Sequence, residues 1–152
     1  MYVLLRKLDQ LRREIGLRPA APGSLAIRHV DAGSCNGCEH ELGATSNLYY
    51  DMSRFGLSIA ASPRHADVLL VTGPVTTRMR TALLRAYESM PEPRLVAALG
   101  NCAMGCNLLG LATERAGSVS DVLPVDLEIP GCPPTPDTIA TALTSLIESR
   151  RR

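Results

Sequence analysis

Tryptophan is absent from this chain, and only four Tyr and one Phe are present, which removes the stacking platforms on which single-strand nucleic-acid binders hold bases. The core must be aliphatic. An excess of charge is also lacking: 16 Lys plus Arg against 15 Asp plus Glu leave a net charge of +1, so no bulk field draws the chain to DNA, RNA or anionic lipid. Nucleic acid is therefore not an expected partner. No apolar run reaches the roughly 18 residues that a membrane span needs, and the amino terminus lacks an apolar h-region followed by a small-residue cleavage site. Five Cys are too few for a disulfide scaffold, and an odd number would leave one unpaired in a secreted protein. The expectation is an intracellular chain with reduced thiols. What remains is ordinary globular composition, 45% hydrophobic and 20% charged over 152 residues, which excludes overall disorder and suits one domain.

Along the chain, Leu4, Leu8, Leu11 and Ile15 make an apolar stripe at helical spacing, with Arg6, Lys7, Asp9, Arg12 and Arg13 off it. Gly16 to Ser24 then carries two Pro and two Gly, the composition of a linker. The expected division is an N-terminal amphipathic helix and linker over 1–23 and an α/β domain over 24–152. Such a helix lies on a membrane surface or docks on the body or a neighbouring subunit. From Leu25 onward, short apolar runs alternate with helical patterns, as a parallel sheet with crossover helices requires. Strands are expected at Leu25–Val30, Gly56–Ala60, Val68–Val71 and Leu95–Leu99, with a less regular fifth at Val119–Val125. Met79, Ala82, Leu83, Ala86, Tyr87 and Met90 form one helix stripe. Ile139, Leu143, Leu146 and Ile147 form another, which opens with Thr135 as N-cap and Pro136 in the first turn and closes with Arg150, Arg151 and Arg152. The fold class is α/β, a flavodoxin-like parallel sheet flanked by helices.

The cysteines fall where such a fold gathers residues. Cys35 and Cys38 follow the first strand, Cys102 follows the strand ending at Leu99, and Cys132 follows the strand near Val125. In an open parallel sheet those carboxyl ends share one edge, at which α/β folds bind ligands. Four thiolates there suggest a metal. Zinc and a 4Fe-4S cluster both accept four thiolates. Structural zinc usually takes two close pairs, whereas here one close pair is completed by distant single cysteines, and Gly37, Gly100, Gly105 and Gly131 leave backbone room for a bulky cube. One 4Fe-4S cluster is the preferred cofactor, with zinc, or a dithiol redox pair at Cys35 and Cys38, as alternatives.

The segments Gly33-Ser-Cys-Asn-Gly-Cys-Glu-His-Glu41, Ser62-Pro-Arg-His-Ala-Asp67, Val71-Thr-Gly-Pro-Val75, Met90-Pro-Glu-Pro-Arg94, Gly100-Asn-Cys-Ala103 and Pro130-Gly-Cys-Pro-Pro134 resemble the iron-sulfur subunit of membrane-bound, energy-converting nickel-iron hydrogenases, formate hydrogenlyase small subunits among them. A homologous subunit of respiratory complex I is also similar. It carries two adjacent cysteines where hydrogenase-type subunits have Cys-x-x-Cys, so Cys35 and Cys38 favour the hydrogenase side. The resemblance implies that Cys35, Cys38, Cys102 and Cys132 ligate the proximal 4Fe-4S cluster. It further implies an electron-transfer subunit of an oxidoreductase complex, with no complete active site on this chain. The implied partners are a nickel-iron hydrogenase-like large catalytic subunit, a ferredoxin-like iron-sulfur subunit and membrane subunits. The implied location is peripheral, on the cytoplasmic face of the membrane, held there by those partners. Two alternatives are a quinone-linked complex without nickel-iron and, from a different class, a zinc-stabilised binding module.

Departures and neighbours carry further expectations. Cys106-Asn107 stands where that family usually has two glycines. Cys106 is read as an unligated small side chain, or else as a ligand exchanged in one redox state. Glu41, with His40 beside it, falls in the first turns of a helix, where a carboxylate complements the dipole. The resemblance points Glu41 at the catalytic partner, in a possible proton route. Arg64 and His65 match the family before the strand at Val68.

Overall fold

The computed structural model describes residues 23–106 and 114–149. The expected N-terminal helix and most of its linker, together with Arg150, Arg151 and Arg152, lie outside the described residues. Five strands form one parallel sheet: β1 (Leu25–Asp31), β2 (Leu57–Ile59), β3 (Val68–Thr72), β5 (Leu95–Leu99) and β7 (Leu127–Ile129), in the order β2-β1-β3-β5-β7. A small antiparallel pair, β4 (Val75–Thr76) with β6 (Arg115–Gly117), stands apart. Without that pair the strand order is that of flavodoxin-like sheets, whose ligands bind at the carboxyl edge where the order reverses.

The continuous apolar run of β3 explains its central position. All five of its residues are buried, and its pleat sends Val68 and Leu70 to one face, with Leu69 and Val71 to the other. The first face is covered by α1 (Gly37–Ala44) and α3 (Pro136–Ser149), the latter through Ile139, Leu143, Leu146 and Ile147. The second is covered by α2 (Thr77–Glu88), which buries Leu83 and is capped by the Thr76 hydroxyl accepting from the Met79 amide. At α3, Thr135 Oγ1 accepts from the Thr138 amide at 3.3 Å, so the expected N-cap is present.

One expected strand is corrected. Val119–Val125 is not a strand: Val119–Asp121 is a single 3-10 turn, and the fifth strand of the sheet is Leu127–Ile129. The Ser118 amide and hydroxyl both donate to Asp121 Oδ2, at 2.8 and 2.7 Å, and this closes the turn. Val119 and Leu123 are buried beside Leu83 and Val96, so the apolar composition there reflects burial and not extension. Asp126 then opens the true strand, its amide donating to Val96 O and its Oδ2 accepting from the Val96 amide.

Candidate metal centre

Three loops leave the carboxyl ends of β1, β5 and β7 and meet at one edge. In the first, Asp31 Oδ1 accepts the amides of Gly33 and Ser34 at 2.8 and 2.7 Å, which turns the chain sharply beyond the strand. Asn36 then adopts φ 71, and α1 begins with Cys38 in its first turn. The loop after β5 is tied to the loop after β7 by Asn101. Its amide donates to Gly131 O and its Oδ1 accepts the Gly131 amide, both at 2.8 Å. Cys102 and Cys132, thirty residues apart, are thereby held on one clamped pair of turns.

The glycines show how closely the loops approach. A Cβ on Gly100 would lie 2.6 Å from Cys38 Sγ and 3.5 Å from Gly131 O, so the Cys38 sulfur rests over the bare backbone that leads to Cys102. A Cβ on Gly37 would lie 3.5 Å from Cys35 Sγ and 3.9 Å from the Pro133 ring, which brings the first loop against the third. Cys102 is buried, Cys38 half-buried, and Cys35 and Cys132 exposed.

Two of the thiols are shifted by their neighbours. Burial, then Glu39, then the thiols of Cys102, Cys35 and Cys132 push Cys38 up to about 11. Cys102 is raised by burial and then by Cys132, Cys35 and Cys106. Without a cation Cys38 and Cys102 resist ionising, and a positive iron-sulfur core is the kind of charge that relieves them. Among the described residues no group of three or more His, Cys, Asp or Glu side chains is arranged to hold a metal ion. Cubane ligands each bind a different iron, whereas the four ligands of zinc bind one atom. A set of four thiols around a glycine-lined cradle fits the cluster.

The comparison with known sequences then decides the family. Residues 35–146 match the family described as NADH ubiquinone oxidoreductase, 20 Kd subunit. The chain belongs to this family. It is 38% identical over 145 residues to the probable membrane-bound hydrogenase subunit mbhJ of Pyrococcus furiosus, covering 95% of this chain and 83% of that one. It is 44% identical over 113 residues to formate hydrogenlyase subunit 7 of Escherichia coli, covering 74% of this chain and 44% of the relative. The fold is that of a chain in the structure of the membrane-bound sulfane sulfur reductase, an archaeal respiratory membrane complex. That match has a TM-score of 0.71 and 32% identity, and covers 85% of this chain and 71% of that chain. Members of the 20 Kd subunit family are subunits of oxidoreductase complexes, and this chain is one of their number.

Cys106 is exposed, and its amide donates to Asn101 O at 3.0 Å, so its backbone belongs to the same clamp. Glu41 is half-buried on α1, and its side chain makes no hydrogen bond or ion pair among the described residues. His40 is exposed, 3.3 Å from Asn36 Nδ2. Arg64 and His65 are both exposed, in the turn before β3.

Sequence reasoning missed two features. Asn101 is one; its signal was a polar residue caught between Gly100 and Cys102. The other is Glu39, whose Oε1 accepts from the buried Thr72 hydroxyl while His29 Nε2 stands 3.6 Å away. Burial holds the His29 imidazole below its ordinary value, against the opposing pull of Glu39 and Asp31. His29 was visible as a lone polar residue in phase with Leu25 and Ile27.

Proposed function

We propose that this chain is the electron-transfer subunit of a membrane-associated, hydrogenase-like complex of the formate hydrogenlyase type, and that residues 24–152 form its iron-sulfur-binding domain. Cys35, Cys38, Cys102 and Cys132 hold one 4Fe-4S cluster. The observation that carries this reading is the meeting of three strand-end loops, with Cys38 Sγ lying over Gly100 and Asn101 clamping the other two loops together. When bound, the cluster supplies one-electron transfer. The chain's own residues do the rest. The thiols provide four anionic donors, and Gly100 and Gly37 leave room beside the sulfurs of Cys38 and Cys35. Glu41 places a carboxylate on a proton route at the partner surface.

The partners are a nickel-iron hydrogenase-like large catalytic subunit, a ferredoxin-like iron-sulfur subunit and membrane subunits, with this chain peripheral on the cytoplasmic face. No helix among the described residues is long and apolar enough to cross a membrane. A second reading is favoured by the likeness to a sulfane sulfur reductase chain and by a family described after a quinone-reducing enzyme: a related complex whose large subunit holds no nickel.

The test is anaerobic purification of the complex through a tag on this chain, with metal analysis of the native chain and of Cys132→Ser. A loss of about four iron per complex in the variant supports the cluster; zinc in place of that iron overturns it. Nickel in the native complex selects the hydrogenase reading, and its absence selects the second. Glu41→Gln is expected to lower turnover with iron content unchanged, and an unaltered rate removes Glu41 from the proton route.

A further inference from the structure

The apolar stripes of β1 and β3 turn polar where they approach the thiols. On β1, Leu25 and Ile27 are buried in the core beneath α1 and α3, and the next residue in phase is His29. On β3, Val68 and Leu70 lead in the same way to Thr72, which is fully buried. Glu39 reaches both residues from α1. The Thr72 hydroxyl has one proton and gives it to Glu39 Oε1, so at 2.9 Å from His29 Nε2 it must accept there. The imidazole therefore carries its proton on Nε2, and the chain of donors runs from His29 to Thr72 to Glu39.

Helix α1 needs such an anchor. It has eight residues, Leu42 is its one buried residue, and the Asn36 side chain at its N-cap caps none of the helix amides. A helix that short has little stability of its own. Cys38 and Glu39 are adjacent in its first turn, so whatever fixes the Glu39 carboxylate also fixes the rotation that aims Cys38 Sγ over Gly100. The second carboxylate oxygen, Glu39 Oε2, is buried with no hydrogen-bond partner among the described residues. A buried acceptor left unpaired is unfavourable. An acid kept there is consistent with a local compromise made for the site.

We propose that Thr72 and His29 are positioning residues that act through Glu39 to hold Cys38 in the cluster cradle. The proposal rests on the cluster reading above, and its test separates the two. The complex is purified anaerobically with native chain, Thr72→Val and Thr72→Ser. Two quantities are read: the electron paramagnetic resonance signal that Cys132→Ser removes, and the rate of iron release to a chelator. Thr72→Val keeps the shape and removes the hydroxyl; it is expected to shift the g-values and speed iron release several-fold, and Thr72→Ser is expected to restore both. Where Thr72→Val does not assemble, His29→Leu and His29→Gln replace it, because the glutamine amide can donate as Nε2 does. The leucine variant is then expected to show the altered signal and the glutamine variant the native one. A native signal unmoved by Thr72→Val, or identical signals in the two His29 variants, overturns the positioning role alone. Absence of any such signal from the native complex overturns the cluster reading and this proposal together.

Discussion

Gly100 and Asn101 show how single residues make a site from loops that begin thirty residues apart. Gly100 has φ +87 and supports the Cys38 sulfur where a Cβ would stand 2.6 Å away. Alanine there meets two penalties: a left-handed backbone costing about 1–2 kcal/mol and a clash that only displacement of Cys38 relieves. Gly100→Ala is expected to lose iron and to lower the thermal midpoint by about 2–8 °C, taking about 2–4 °C per kcal/mol for a domain near this size; iron analysis beside a thermal melt checks it. Asn101 is different, because its contribution is a bond and not an absence. Asn101→Ala leaves the Gly131 amide without its acceptor, at about 1–3 kcal/mol, whereas Asn101→Asp retains an oxygen in place. Iron retention should therefore fall in the alanine variant and recover largely in the aspartate variant.

At the scale of elements, the segment from Arg115 to Ile129 teaches most about what a sequence discloses. Strands β3 and β5 were legible as continuous apolar runs and β1 as an apolar-rich run of similar length, and helices α2 and α3 as apolar stripes repeated over three turns or more. Strand β7 has three residues, Leu127–Ile129, as β2 does, but a more apolar run stands just before it and draws the assignment to Val119–Val125. The four cysteines were legible as a group because strand-end loops must share an edge. Asn101 and Glu39 were not, since their roles depend on partners thirty and thirty-three residues away. The Ser118–Asp121 turn also has a pH signature. Its two bonds from Ser118 hold the Asp121 carboxyl below the ordinary value near 3.8. A carboxylate with a lowered folded value adds stability above the unfolded value, and that stability is lost as pH falls through the folded one. Asp121→Ala should therefore be less stable than the native chain at neutral pH, and the gap should close as acid is added below about pH 4. Denaturant titrations at several pH values measure it, and a gap independent of pH refutes the assignment.

For the whole molecule, the distribution of exposed apolar side chains bears on assembly. Leu48 is 99% exposed, Tyr49 80% and Phe55 49%, all in the connection from α1 to β2. Tyr49 and Phe55 line a groove of about 500 Å³ whose other wall is α3, at Ala140 and Thr144. Scattered exposed apolar residues are ordinary, but large ones gathered beside a groove mark a binding face. The thiol edge is a second such face, because Cys35 and Cys132 are exposed there. A chain in a multi-subunit complex has reason to carry both. Burying one side chain of this size is worth about 1.5–3 kcal/mol, and each 1.4 kcal/mol is tenfold in affinity. The double change Tyr49→Ser and Phe55→Ser is thus expected to weaken retention of the neighbouring subunit by about a hundredfold or more. It should do so without moving the magnetic signal of the proposed cluster, since the groove that they line includes none of Cys35, Cys38, Cys102 and Cys132. Copurification at graded dilution, with iron measured on the recovered chain, separates the two effects. Full retention of every subunit would mean that this groove faces solvent in the assembled complex, leaving the thiol edge to hold the chain in place.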